Sequence, residues 1–146
     1  MTKVIIIDDD NTVLIFMKRI LQKAFEFEVL EARDGIEALA LMEKEHPQIA
    51  FLDITMPNMD GYQFLQEIRS QEQYKDFPVI VITAANDRTI LAKFLKLGID
   101  DYLLKPMVYD EAKFRLKKSL APILTRFKDD EEKKLLQDYE NTNSGE

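Results

Sequence analysis

No cysteine occurs in this chain of 146 residues, which excludes disulfides and thiolate chemistry. Positive charge is in deficit, with 20 Lys and Arg against 27 Asp and Glu, a net charge of −7 and a pI near 4.8. Unaided binding to nucleic acid or an anionic membrane is therefore disfavoured, and direct contact with neither is expected. Long apolar runs are missing too. Met1-Thr2-Lys3 leads into only four apolar residues, too few for a signal peptide or a membrane span, so a cytoplasmic location is the expectation. Histidine occurs once, as His46 before Pro47, and reads as an exposed loop residue. The remaining composition, 46% hydrophobic and 32% charged, is that of a soluble globular domain with room for a core.

Short apolar runs alternate with helix-period segments. Val4 to Ile7, Glu28 to Ala32, Ile49 to Leu52, Val79 to Ile82 and Tyr102 to Leu104 read as strands. Between them come helical patterns: one through Val13, Phe16, Met17, Ile20 and Leu21, one over Gly35 to Glu45, one capped by Asp60 with Phe64, Leu65 and Ile68, and one capped by Asp87 and stopped by Gly98. A last helix starts near Asp110. Five such units predict a parallel sheet with helices on both faces. Pro122 is expected to interrupt the last helix. An amphipathic stripe, Ile123, Leu124, Phe127, Leu135, Leu136 and Tyr139, follows it, and Asn141 to Glu146 read as disordered. The chain thus divides at 121/122, into a domain over 1–121 and a helical extension with a disordered tail over 122–146.

Two predicted strands end in carboxylates: Asp8-Asp9-Asp10 after the first and Asp53 after the third. Desolvating acids at the ends of buried strands is costly unless they are used. Together they suggest one acidic pocket for a hard cation and for phosphate chemistry on a carboxylate. In open parallel sheets, ligands bind beyond the carboxyl ends of the strands. Thr83 and Lys105 end the fourth and fifth strands and add a hydroxyl and an ammonium, which suit phosphate oxygens. Crowding of Asp8, Asp9 and Asp53 predicts at least one raised carboxyl pKa in the absence of metal. Asp10 reads at least as well as a helix cap, and Asp100-Asp101 as a turn.

The segments Ile7-Asp8-Asp9-Asp10, Leu52-Asp53-Ile54-Thr55-Met56-Pro57-Asn58-Met59-Asp60-Gly61, Ile82-Thr83-Ala84-Ala85 and Leu104-Lys105-Pro106 occur in that order. On them the sequence resembles a receiver domain of a two-component response regulator, over about Lys3 to Leu120, and is similar to the chemotaxis-type single-domain regulators. The resemblance implies a flavodoxin-like, doubly wound, five-stranded parallel sheet of order 2-1-3-4-5 with five helices, to which the C-terminal helical extension is added. It implies Asp53 as phosphoacceptor, with Lys105 and Thr83 binding the phosphoryl group. Asp9, Asp53 and the backbone carbonyl of Thr55 would ligate Mg2+, with Asp8 acting through water. Thr83 and Tyr102 would form the switch, with plain packing an equal reading of Tyr102, and Lys105-Pro106 would be cis.

The implied function is a phosphorylation-switched signalling module rather than an enzyme. A sensor histidine kinase or histidine phosphotransfer protein would supply the phosphoryl group, and autodephosphorylation would be slow, because neither Thr55 nor Ala85 is an acid or amide able to place a water. The signal would leave through the face of the fourth helix, fifth strand and fifth helix, toward an unknown downstream protein or a homodimer. A second reading remains. Asp8-Asp9-Asp10-Asn11-Thr12 fits the Asp-x-Asp-x-Thr signature of haloacid-dehalogenase-like phosphohydrolases, with Asp8 as nucleophile. It leaves Asp53 and Met56 to Gly61 unexplained, and it puts Asp100-Asp101 before Lys105 rather than after it.

Overall fold

The computed structural model describes residues 1–84 and 88–143. Five strands, β1 (Lys3–Ile7), β2 (Glu28–Ala32), β3 (Ile49–Leu52), β4 (Val79–Thr83) and β5 (Asp101–Leu104), form one parallel sheet in the order β2-β1-β3-β4-β5. Their α-helices are α1 (Asn11–Phe25), α2 (Gly35–Glu45), α3 (Gly61–Arg69), α4 (Arg88–Leu97) and α5 (Tyr109–Asn143). Alternate strand residues feed two separate cores, as the period of two requires. Val4, Ile6, Phe51, Ile80, Ile82 and Leu103 meet α1 and α5. Ile5, Ile7, Leu52, Val79 and Val81 meet α2, α3 and α4. The central strands β1, β3 and β4, covered on both faces, read as nearly continuous apolar runs, whereas the edge strands β2 and β5 carry Glu28, Glu31 and Asp101.

Register decides where the polar residues collect. Ile7 pairs with Ala32 on one side and Leu52 on the other, and Thr83 pairs with Leu104. The residues that follow, Asp8, Asp53 and Lys105, therefore emerge along one edge of the sheet. The chain leaves β1 to opposite sides to reach β2 and β3, so the crevice of the topological switch lies between β1 and β3, at Asp8 and Asp53.

The helix starts follow the capping logic of the sequence. Asp10 caps α1 by accepting from the Thr12 amide, and Asp60 forms a reciprocal capping box with Gln63 at α3. Asp87, the expected cap of α4, lies outside the described residues. Gly98, at φ +97°, ends α4 in the left-handed region. Asp101, expected in a turn, instead opens β5, where its carboxylate accepts from the Ser119 hydroxyl of α5.

Pro122 does not interrupt α5, contrary to expectation. A proline removes one helical donor and crowds the preceding turn. Here Leu116, Leu120 and Ile123 on either side of it are buried, so tertiary packing holds the helix through the lesion, while Pro122 itself faces solvent. The helix also continues over Asn141–Asn143, where disorder was expected; residues 144–146 lie outside the described residues.

The opposite edge of the sheet is tied by Arg69. Its guanidinium donates to the Tyr74 carbonyl at 2.7 Å, the Phe77 carbonyl at 2.7 Å and the Gly98 carbonyl at 2.8 Å. Burial lowers its pKa, against the pull of Asp100 and Asp76. The planar fork can reach carbonyls of two loops at once, which a point-like ammonium cannot. Arg69→Ala should cost about 1–3 kcal/mol, since two part-buried carbonyls lose a charged donor. Arg69→Lys should recover less than half of that in urea unfolding; full recovery would show that charge alone, not the fork, is what matters.

Candidate functional site

Asp8, Asp9 and Asp53 come together as expected. One carboxylate oxygen from each lies within 4.8 Å of the others. Their positions follow from the strands. The Asp8 amide donates to Ala32 at 2.9 Å and the Asp53 amide to Ile7 at 2.9 Å, so both residues continue the sheet ladder before their side chains turn into the pocket. Asp8 and Asp53 are only 2% and 8% exposed, whereas Asp9 is open to solvent.

Lys105 supplies the countercharge. Its ammonium lies 2.8 Å from Asp8 Oδ2 and 3.5 Å from Asp53 Oδ1. Burial works against this ammonium, but the hydrogen bond to Asp8 and the charges of Asp53 and Asp8 outweigh it and hold the group above its ordinary pKa. Burial and the Asp8 carboxylate push Asp53 up to about 6, against partial relief from Lys105 and the Ile54 amide. A carboxyl is raised, as the crowding of acids predicts, but burial rather than crowding is the larger cause. One ammonium does not neutralise three carboxylates.

Thr83 is buried at the end of β4, and its carbonyl accepts from the Lys105 amide at 2.8 Å. The Lys105-Pro106 bond is cis. Thr55 is exposed on the loop after Asp53. Tyr102, 36% exposed, stands on β5 beside Val81, away from the acids. Ala85, the residue invoked for slow dephosphorylation, lies outside the described residues. The lone His46 caps α2 and is exposed. Asp8 Oδ1 accepts from the Asp10 amide and Oδ2 from the Lys105 ammonium.

Two features escaped the sequence reading. A Cβ on Gly61 would sit 2.1 Å from the Asp53 carbonyl oxygen, so only glycine lets α3 press against the backbone of Asp53. The loop between Asp53 and Gly61 is also pinned sideways. Asn58, at φ +63°, donates its amide to Asp34 Oδ2 at 2.8 Å, and the Gly35 amide donates to the Met59 carbonyl. Asp34 also caps α2, and these bonds from Glu37 and Asn58 lower its pKa. The cap was legible as an aspartate before a helical pattern; the cross-loop bond was not, because it joins residues 24 apart.

Comparison with known proteins agrees with this geometry. The family model of the response regulator receiver domain matches residues 4–117. Over 118 residues the chain is 41% identical to a protein of Galdieria sulphuraria named "Probable transcriptional regulator ycf27", covering 79% of this chain and 44% of that protein. The chain spans less than half the length of such curated relatives. The chemotaxis response regulator CheY4 of Vibrio cholerae superposes with a TM-score of 0.74 at 31% identity, covering 82% of this chain and 99% of that one. A CheX–CheY–BeF3–Mg2+ complex from Borrelia burgdorferi superposes with a TM-score of 0.73 at 25% identity, covering 84% and 89%. None of these matches favours the phosphohydrolase reading.

The raised Asp53 pKa has a sign that can be measured. A folded-state value of about 6 against 3.8 means that the fold favours the protonated form. Well below pH 3.8 the group is neutral in both states and costs nothing; the penalty builds as pH rises from about 4 to 6 and is constant above that. In metal-free protein, Asp53→Asn should therefore add about 2–3 kcal/mol of stability at pH 7 and almost none at pH 4, read by urea unfolding at both. An equal gain at the two pH values would remove charge burial as its cause.

Proposed function

We propose that this chain, which belongs to the response regulator receiver domain family, is a phosphorylation-switched signalling module with Asp53 as its phosphoacceptor. The observation that carries the reading is the cluster itself. Two buried carboxylates and one open one share a pocket with a single ammonium. Such a pocket retains unbalanced negative charge, takes a hard cation through oxygen donors, and holds one carboxylate ready for bond formation.

The donor set fits Mg2+. Asp9, Asp53 and the Thr55 carbonyl would hold it directly, with Asp8 acting through water. When bound, it supplies charge that lets two anions approach and offsets the charge developing on the phosphoryl oxygens. The chain's own residues do the rest. An ionised Asp53 oxygen attacks the phosphorus of a phosphohistidine on a histidine kinase or phosphotransfer protein. The new O–P bond forms as the P–N bond breaks, the imidazole leaves, and an acyl phosphate remains on Asp53. Lys105 donates to a phosphoryl oxygen, and Thr83 donates a hydroxyl hydrogen bond to another. The Gly61 contact and the Asn58–Asp34 bond hold the Asp53 loop at the pocket.

The output follows from what surrounds Thr83 and Tyr102. The product adds roughly −1.5 to −2 of charge, as other phosphorylated side chains do. Thr83 moves toward it, and Tyr102 repacks into the space released. On the face of α4, β5 and α5, Tyr102 and Leu104 of β5 and Leu95 of α4 are exposed, Glu111 and Arg115 of α5 line the hollow beside Tyr102, and α4 adds the exposed Lys93 and Lys96. That mixture suits a downstream protein with an acidic rim, or a second copy. We assign residues 1–121 to the receiver unit and 122–146 to an appended segment. Among the described residues no helix is long and apolar enough to cross a membrane.

The test is acyl-phosphate trapping with acetyl phosphate and Mg2+, followed by site mapping. Label is expected on Asp53 and at background in Asp53→Asn. Asp9→Ala should weaken Mg2+ binding at least tenfold, roughly the loss seen even for outer-shell partners, read as a smaller Mg2+-dependent thermal shift. Label surviving in Asp53→Asn, or phosphate turnover lost only in Asp8→Asn, would sink the assignment.

A further inference from the structure

Two bonds fasten the loop after Asp53 to the start of α2. Asn58 Nδ2 donates to Asp34 Oδ2 at 2.8 Å, and the Gly35 amide donates to the Met59 carbonyl at 2.9 Å. The approach is close, since a Cβ on Gly35 would sit 2.6 Å from Met59 Cγ. At the fastened point the backbone makes a γ-turn. The Met59 amide donates to the Pro57 carbonyl at 2.7 Å, with Asn58 between them at φ +63°. A residue other than glycine is strained in a γ-turn of positive φ, and its surroundings must hold it there. The Asp34 carboxylate is suited to this. Bonds from Glu37 and Asn58 lower its pKa, so at neutral pH it is ionised and both bonds are charge-assisted.

The near end of the loop is fixed by other means. The Asp53 amide continues the sheet onto Ile7, and the Gly61 amide donates to the Ile54 carbonyl at 2.9 Å. Ile54 and Met56 are buried in the core shared with α2 and α3. Thr55 between them is exposed, and among the described residues its carbonyl accepts no hydrogen bond. Three residues separate this carbonyl from the fastened turn. Mg2+ demands near-ideal octahedral geometry, so a carbonyl held in place beforehand binds it better than one that must be ordered on binding.

Resting on the metal reading above, we propose that the Asp34–Asn58 bond is a positioning contact for Mg2+. It holds the strained turn at Asn58 and thereby fixes the Thr55 carbonyl, so that affinity for the ion is set in part from the loop between β2 and α2.

The test is titration of the full chain with MgCl2, followed by backbone amide NMR. Asn58→Gly keeps the left-handed backbone and loses the bond. Asp34→Ser keeps a cap on α2 but is too short to reach Asn58. Each should raise the Mg2+ dissociation constant by about tenfold, the low end for partners that act through a ligand. The double variant should bind no more weakly than either single one, because both remove the same bond. Asp34→Asn should recover most of the affinity, since an Asn58 amide turned over can accept from the new amide and the bond survives without the charge. In labelling by acetyl phosphate, the half-saturating Mg2+ concentration should rise by more than the rate at saturating Mg2+ falls. Thermal unfolding of the metal-free variants checks that the domain is intact. A dissociation constant unchanged in both single variants, or losses that add in the double variant, would overturn the proposal. If the parent takes up no Mg2+, or is labelled elsewhere than Asp53, the site reading fails and the proposal falls with it. If the parent binds and labels as expected while the variants match it, only the positioning role is lost.

Discussion

Three carboxylates at one edge of a buried parallel sheet, with a single ammonium between them, set the terms for the rest of this structure. Parallel register leaves no choice about where Asp8, Asp53 and Lys105 go once their strands are formed, because the paired strands end together. The result is an electrostatic debt that burial enlarges. Two apolar layers, α1 with α5 and α2 with α3 and α4, hold the strands so firmly that the debt is tolerated rather than relieved by rearrangement. A site that is uncomfortable when empty gains most from a ligand of opposite charge, and a mobile phosphate chemistry is built on that asymmetry.

Much of this was legible in the sequence, for a definite reason. The central strands β1, β3 and β4 are buried on both faces, so they appear as uninterrupted runs, and β2 and β3 have the bounds that the sequence predicts. The candidate site residues Asp8, Asp53, Thr83 and Lys105 are the first polar residues after such runs. Their convergence needs only the rule that parallel strands place their carboxyl ends on one side. The caps at Asp10 and Asp60 are equally local, since the bonding partner lies two or three residues away.

What was not legible depends on contacts between distant residues. Asp101 looks like a turn residue until Ser119 of α5 is seen beside it. Pro122 looks like a break until Leu116, Leu120 and Ile123 are seen docked on the sheet. Arg69 looks like an ordinary end-of-helix cation, yet it binds carbonyls of two loops. In each case local preference pointed one way and tertiary packing decided otherwise, as expected where a side chain's partner is remote in sequence.

Because α5 passes Pro122 unbroken, it joins the neighbourhood of Tyr102 to the far end of the tail as one stiff rod. Its mechanical meaning is leverage. About 16 described residues lie beyond Phe127, the last side chain packed against the core, which at 1.5 Å per residue makes an arm of roughly 24 Å. A tilt of about 10° at the docked end would sweep its tip through about 4 Å, taking the same rise per residue. Small repacking around the sheet, too slight to alter the domain's outline, is thereby magnified at the tip of the arm.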